Sequence, residues 1–265
     1  RYSDLIQPLS LDEAFLDLTE TAQTFKTPYA LGHAIQRDVY DATQGLTVSV
    51  GISSTKSVAK IASDFQKPNG LTVVYPGDVE AFLAPLPVNR LWGVGPKSAE
   101  RLHAKGLYII QDVQDAKAET IAALGELGRH CQRLGRGQDA RPVQPRGRSK
   151  SIGWERTLST SISGKPRIEQ QLKDAVHGLH ERLLKTDFRA GGLRLKMKKD
   201  DFKTITRQTT LDTPSHDPAI LWNTALGLME QIDTDVSYRL LGLSAFALVH
   251  KNDGLQLPLN FSGTP

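Results

Sequence analysis

Between Ile152 and Val249 the hydrophobic period switches from two residues to about 3.6 and back again, and this constrains the fold more than any other feature of the chain. Ile152, Trp154 and Leu158 alternate along a strand over 152–158, while Ile168, Leu172, Val176, Leu179 and Leu183 recur at helical spacing. Residues 193–198 and 204–211 read as strands, 218–232 as a second amphipathic helix and 240–249 as a last strand. The order β-α-β-β-α-β is the split βαβ arrangement, a small open sheet with two helices on one face.

The rest of the chain divides by composition. Arg141-Pro-Val-Gln-Pro-Arg-Gly-Arg-Ser149 combines prolines with like charges, which predicts an extended linker and a domain boundary. Residues 76–139 read as short helices broken by glycine, with no strand. Residues 7–18 read as two short extended runs, 30–40 as a helix, 46–53 as a β-branched strand and 58–65 as a second helix. Lys67-Pro-Asn-Gly70 is turn chemistry that stops this helix before a strand over 71–75. The expected fold class is therefore α+β and multidomain.

Several classes fall away. With 265 residues, 39% of them hydrophobic, the chain can build one large domain or two to three small ones, each with its own core. No apolar run approaches the ~20 residues that a helical membrane span needs. A single cysteine, Cys131, can form neither an internal disulfide nor a cysteine-cluster zinc site, so a reducing cytosol fits best. Lys and Arg number 33 against 29 Asp and Glu, a net charge of +4 that leans toward polyanions without proving a partner. Arg1 is not a methionine, and residues 1–10 alternate polar and apolar types with no signal-peptide core; the expectation is a chain that begins partway through a larger protein.

Ser10-Leu-Asp-Glu-Ala-Phe-Leu-Asp17 sets adjacent acids among the apolar residues Leu9, Leu11, Phe15 and Leu16. Neighbours on a regular strand point to opposite faces, so Asp12 and Glu13 could share a metal only where a turn or bulge breaks the pleat. Acids flanked by core residues are costly unless a cation neutralises them. The bland alternative is a solvated hairpin tip.

That octapeptide, followed by Gly51-Ile-Ser-Ser54, Lys60-Ile-Ala-Ser-Asp64 and Lys67-Pro-Asn-Gly70, closely resembles the Y-family translesion DNA polymerases, the bacterial DNA polymerase IV type in particular. The resemblance is ordered and runs over nearly the full chain. It implies a partial palm over 1–75, a helical thumb over 76–140, a linker over 141–150, a little finger over 151–250 and a tail over 251–265. It further implies two Mg²⁺ ions held between carboxylates, with Asp12 ligating both and Glu13 completing the site on the primer side. Lys67 matches the family lysine that touches the incoming triphosphate. The family's first metal-binding aspartate, its ribose-excluding aromatic residue and its fingers lie upstream of the position matching Arg1, so the expectation is an incomplete metal site and a chain that does not polymerise by itself.

Leu91-Trp-Gly-Val-Gly-Pro-Lys-Ser-Ala99 reads as a helix-hairpin-helix, with a helix over 99–104. Gly93 and Gly95 permit positive φ and let backbone N–H groups approach a phosphate, and Lys97 adds charge at a helix N-terminus. Leu124-Gly-Glu-Leu-Gly128 is a degenerate second copy or a plain helix–helix turn. Farther on, Arg194, Lys196 and Lys198 alternate with Leu195 and Met197, making one strand face cationic; Arg207, Arg146, Arg148 and Lys150 carry the same sign. A soluble face guarded by lysine against edge pairing is the alternative. The resemblance turns this sheet toward the DNA backbone.

His33, His103, His130, His177, His180, His216 and His250 form no ligand set, Trp154 and Trp222 read as core, and Cys131 reads as inert. In the tail, Gln256-Leu-Pro-Leu-Asn-Phe261 resembles the peptide by which bacterial polymerases dock on the sliding clamp, with Gln256, Leu257, Leu259 and Phe261 as the contacts; an apolar terminus is the alternative. The reading is an error-prone, lesion-bypassing polymerase portion that works on primed template DNA and deoxynucleoside triphosphates, as a monomer and away from membranes. A catalytically silent DNA- and clamp-binding scaffold is the second reading. A helix-hairpin-helix nuclease or glycosylase is a remote third.

Overall fold

The computed structural model describes residues 1–145 and 147–253, and the chain divides into two compact units at Gly147/Arg148.

The first unit opens with an antiparallel hairpin, β1 (Ile6–Pro8) and β2 (Ala14–Leu16), in register Ile6 to Leu16. Helix α1 (Pro28–Thr43) follows, started by Thr27, whose Oγ1 accepts the Ala30 N–H, and by Pro28 at its first position. Strand β3 (Val50–Ile52) pairs in parallel with β4 (Leu71–Val73) across helix α2 (Lys56–Phe65). The expected strand over 46–53 shrinks to β3 because its ladder partner is only three residues long. Helices α3 (Val79–Leu83), α4 (Pro96–His103), α5 (Ile110–Gln114), α6 (Ala118–Leu124) and α7 (Glu126–Gly135) complete the unit, with no named strand among them. Its main core runs across the boundary expected at 75/76. Val58, Ile61 and Ala62 of α2 and Val74 pack in one cluster with Leu83, Leu102, Ile110 and Leu134.

The expected linker over 141–150 is only partly free-standing. Arg141 bonds Asp139 at 2.7 and 2.8 Å, and the Gln144 N–H donates to Gln7 Oε1 at 3.1 Å, so the segment through Gln144 belongs to the first unit.

The second unit is the β-α-β-β-α-β fold. Strands β5 (Ser151–Ile162), β6 (Phe188–Lys199), β7 (Thr204–Ser215) and β8 (Tyr238–Phe246) form an antiparallel sheet in the order β5-β8-β6-β7, and β9 (Val249–His250) pairs with the start of β6. Helix α8 (Lys165–Lys185) connects β5 to β6, and α9 (Pro218–Met229), capped by Asp217, connects β7 to β8. One sheet face presents Leu193, Leu195, Met197, Leu241 and Leu243 to Leu172, Leu179 and Leu183 of α8 and Leu221, Ala225 and Leu228 of α9. Trp154 packs against this core, over Gly178 of α8. Cys131 is buried in the first unit's core, and burial pushes its thiol up to about 11, which makes it inert. Among the described residues no helix is long and apolar enough to cross a membrane.

Candidate functional site

The pleat breaks where the acids sit. Leu9 and Ser10 both donate their N–H groups to the Glu13 carbonyl, at 2.8 and 3.2 Å, so residues 9–13 form the tight turn between β1 and β2. Within it Ser10 Oγ donates to Asp12 Oδ1 at 2.5 Å, and this bond, helped by the charges of Lys67 and Lys60, holds the exposed Asp12 carboxyl below the usual carboxylate range. The expectation of core residues flanking the acids does not hold: Leu11 is fully exposed, and Leu9, Phe15 and Leu16 are half-buried.

The turn lines a cleft of about 1660 Å³. Hairpin residues 8–19, residues 47–56 and α1 residues such as Leu31, Ile35 and Val39 form its walls, and Asp12, Glu13, Lys60 and Lys67 all line it. Lys60, on the second turn of α2, lies 3.2 Å from Glu13 Oε1 and 2.7 Å from Asp64 Oδ2. Lys67 bonds the other Asp64 oxygen at 2.5 Å. Partial burial works against both the Lys60 ammonium and the Asp64 carboxylate, but the ion pairs outweigh it, leaving Lys60 above and Asp64 below its ordinary pKa. Lys60 and Asp64 close the motif Lys60-Ile-Ala-Ser-Asp64, to which the sequence alone assigns no role. Their spacing of four on a helix was the available signal for the pair.

Asp12 and Glu13 are hard oxygen donors, one open to the cleft and one paired with Lys60. That suits a magnesium ion, which takes one or two carboxylates and completes its shell with water and phosphate oxygens. Among the described residues no group of three or more His, Cys, Asp or Glu side chains is placed to hold a metal.

Two further surfaces gather the other candidate residues. In the first unit, Gly93 has φ +83°, which a side chain would disfavour, and His130 Nε2 lies 2.8 Å from the Trp92 carbonyl oxygen to fix this loop. Gly95 corrects the sequence reading: its φ is −83°, so it is an ordinary N-cap, and its contribution is open space. Helix α4 begins at Pro96 rather than Ala99, putting Lys97 in its exposed first turn. Gly125, with φ +64°, joins α6 to α7 as a helix–glycine–helix turn.

In the second unit Arg194, Lys196 and Lys198 point away from the helices, as the alternation predicts. Lys196 pairs with Glu155 at 2.8 Å, Arg194 Nε donates to Gln208 Oε1 at 2.9 Å, and Lys198 Nζ lies 4.9 Å from the Phe202 ring centre. Glu155 and Lys196 both stand opposite Gly242 of β8, which has no side chain to separate them. Arg207 is a correction. It sits opposite the core residue Leu195 and so lies on the helix face of the sheet, where its Nε donates to the Gln231 carbonyl at 3.1 Å. Arg148 bonds Asp253 at 2.7 Å, and Lys150 is exposed. Arg146, Gln256, Leu257, Leu259 and Phe261 lie outside the described residues.

Comparison with known proteins agrees along the chain. Residues 1–64 match the impB/mucB/samB family model, 76–107 the helix-hairpin-helix motif of that family and 149–259 its C-terminal domain. The DNA polymerase IV of Streptococcus mutans is 37% identical over 250 residues, covering 94% of this chain and 67% of the relative, and that of Listeria monocytogenes is 39% identical over 246 residues, covering 92% and 69%. Among solved structures, a chimeric Y-family DNA polymerase superposes with a TM-score of 0.80 at 24% identity, covering 94% of this chain and 72% of the other. An insertion ternary complex of the Dbh DNA polymerase gives 0.60 at 23% identity over the same shares of the two chains. The chain belongs to the impB/mucB/samB family of Y-family DNA polymerases, in its DNA polymerase IV branch, whose activity is DNA-directed DNA synthesis.

Proposed function

We propose that this chain is the DNA-holding, carboxylate-supplying portion of an error-prone, lesion-bypassing polymerase that extends a primer 3′ end. One observation carries the reading: Asp12 and Glu13 leave the pleat together on a turn that lines the same cleft as Lys67. In this reading residues 1–75 are palm, 76–140 thumb and 151–250 little finger.

Asp12 and Glu13 are the residues that would hold two Mg²⁺ ions, Asp12 shared between them. Bound ions of this kind lower the pKa of an attacking hydroxyl and neutralise the leaving pyrophosphate. Lys67 meets the triphosphate as a mobile point charge. The N–H groups at the start of α4, reached past the bare Gly95, take a DNA phosphate, with Lys97 beside them. Arg194 and Lys198 run along the backbone of the duplex, helped by Lys150, and Lys196 joins them on leaving Glu155. Arg148 keeps its assigned DNA role only by leaving Asp253, and Arg207 is assigned none. Gln256, Leu257, Leu259 and Phe261 dock on a sliding clamp.

Of the acids that line the cleft only Asp12 and Glu13 are assigned to the metals, and in this reading the chain alone binds primed DNA and incorporates no nucleotide. The test is a chimera in which this chain replaces the matching two thirds of a DNA polymerase IV relative, assayed for template-directed primer extension. Extension that Asp12→Asn or Glu13→Gln each reduce at least a hundredfold, with DNA affinity kept, supports the reading. A folded, DNA-binding chimera that never extends a primer favours the silent scaffold. Extension by the isolated chain overturns the claim that it is inactive alone.

A further inference from the structure

We propose that Lys60 is the resident counter-ion of the carboxylate turn, holding Glu13 until a divalent cation takes its place. The inference rests on the reading of Asp12 and Glu13 as metal ligands and concerns how that site is regulated.

The geometry separates two jobs within Glu13. Its carbonyl closes the turn by accepting the Leu9 and Ser10 N–H groups, whereas its carboxylate is bonded to Lys60. Asp12 is the preceding residue and lines the same cleft, so without a cation two adjacent carboxylates would repel each other on this turn. Lys60 supplies that cation from α2, across 47 residues of chain, and lines the same cleft.

Lys60 is also built to let go. Its bond to Asp64, at 2.7 Å, is shorter than its 3.2 Å contact with Glu13, so an ammonium displaced from Glu13 keeps a carboxylate partner. Asp64 occupies the last turn of α2, where the helix dipole disfavours an acid. Its ion pairs with Lys60 and Lys67 account for its place there. Glu13, Lys60, Asp64 and Lys67 balance one another, and Asp12 beside them leaves the group with a net charge of −1 in place of the −2 that would remain without Lys60. A free divalent ion approaching Glu13 therefore meets the Lys60 charge, while an ion arriving with a polyphosphate brings compensating negative charge. Lys60 thus weakens binding of the bare metal and favours entry of the metal with its nucleotide.

The probe is Mn²⁺ alone, titrated into the whole chain without DNA or nucleotide and followed by the electron paramagnetic resonance signal of the free ion. Lys60→Met should tighten Mn²⁺ binding by about tenfold, since one positive charge beside the site is removed. Lys60→Arg, which keeps the charge, should bind as the wild type does. The gain should vanish when Lys60→Met is combined with Glu13→Gln. Should Lys60→Met fail to fold, judged by its circular dichroism melt, Lys60→Gln carries the same expectation. Mn²⁺ binding to the wild type with no gain in the neutral variants overturns the counter-ion role and leaves the metal reading standing. Absence of Mn²⁺ binding in all of them overturns the counter-ion role, because no ion then displaces Lys60, while the metal reading is judged by the chimera's response to Asp12→Asn and Glu13→Gln.

Discussion

Asp139 accepts the backbone N–H of Ser57 on Oδ2 at 3.2 Å, joining the segment after α7 to the first turn of α2 across 82 residues. Thr55, the N-cap of α2, makes no side-chain cap bond, so this remote carboxylate takes an otherwise orphaned helix donor and places negative charge at the helix N-terminus. The same carboxylate receives both arms of Arg141, whose guanidinium lies 5.1 Å from the Trp92 ring centre, while Trp92 stands 6.1 Å from Phe15 of β2. Asp139 therefore links α2, the glycine loop before α4 and the strand that follows the carboxylate turn.

Asp139→Ala should destabilise the chain by about 2 kcal/mol, through loss of the cap and an unpaired Arg141. Urea unfolding followed by circular dichroism measures it. Burial pushes the Asp139 carboxyl up, but the Arg141 bonds and the Ser57 N–H outweigh it and hold it below the usual range. A depressed folded pKa contributes stability that is present above the unfolded value, near 3.9, and is lost as pH falls through the folded value. Asp139→Asn should therefore flatten the stability profile below about pH 4, relative to wild type. An unchanged acid limb would place the acid sensitivity elsewhere.

Gly178 of α8 lies beneath Trp154 so closely that a Cβ would come within 2.3 Å of the indole ring. Gly178→Ala gains about 1 kcal/mol of helix propensity. Overpacking should outweigh that, for a net loss near 1–2 kcal/mol. Combining it with Trp154→Leu, which removes the ring, should cost less than the two changes summed. Thermal melts of the four proteins complete the cycle, and strict additivity would show that the contact relaxes without strain.

The second unit was legible in order and face because its strands and helices keep one hydrophobic phase each. Leu193, Leu195 and Met197 set the sheet's buried side, and the lysines between them follow. Element ends were less legible: β5 and β6 run to 12 residues apiece because ladder bonds continue past the apolar pattern. In β7 the hydrophobic signal is sparse, and charge alone assigned Arg207 to the wrong face. Its phase relative to Ile205, two residues away and half-buried against the core, would have corrected it. The carboxylate turn was legible as a motif, but the Glu13–Lys60 and Ser57–Asp139 contacts join residues remote in sequence, which no local spacing encodes.

Arg207 offers a control for the cationic face. Its guanidinium caps a carbonyl just beyond α9, a position favourable for positive charge. Arg207→Gln should lower stability by about 0.5–1 kcal/mol and leave the salt dependence of DNA binding unchanged. A flatter salt slope for this variant, measured by fluorescence anisotropy on duplex DNA, would return Arg207 to the DNA side.

Glu155 sharpens the same test from the opposite direction. It is the acid paired with Lys196 on the outer sheet face, and the pair meets over Gly242 at 2.8 Å with both side chains partly exposed. An exposed pair of this kind stabilises the fold by at most about 1 kcal/mol, so removing the acid should leave the unit folded. What it changes is the charge offered to a phosphate. Glu155→Gln frees the Lys196 ammonium and removes a repulsive carboxylate, so DNA affinity should rise severalfold at low salt. The slope of log affinity against log salt should steepen by about 0.9, the value for one added phosphate contact on duplex DNA. Lys196→Gln in the Glu155→Gln background should return the slope toward its original value, because the gain passes through that lysine. Affinity that rises without any change in slope would mean that Glu155 acts only through its own repulsion and that Lys196 does not reach a phosphate.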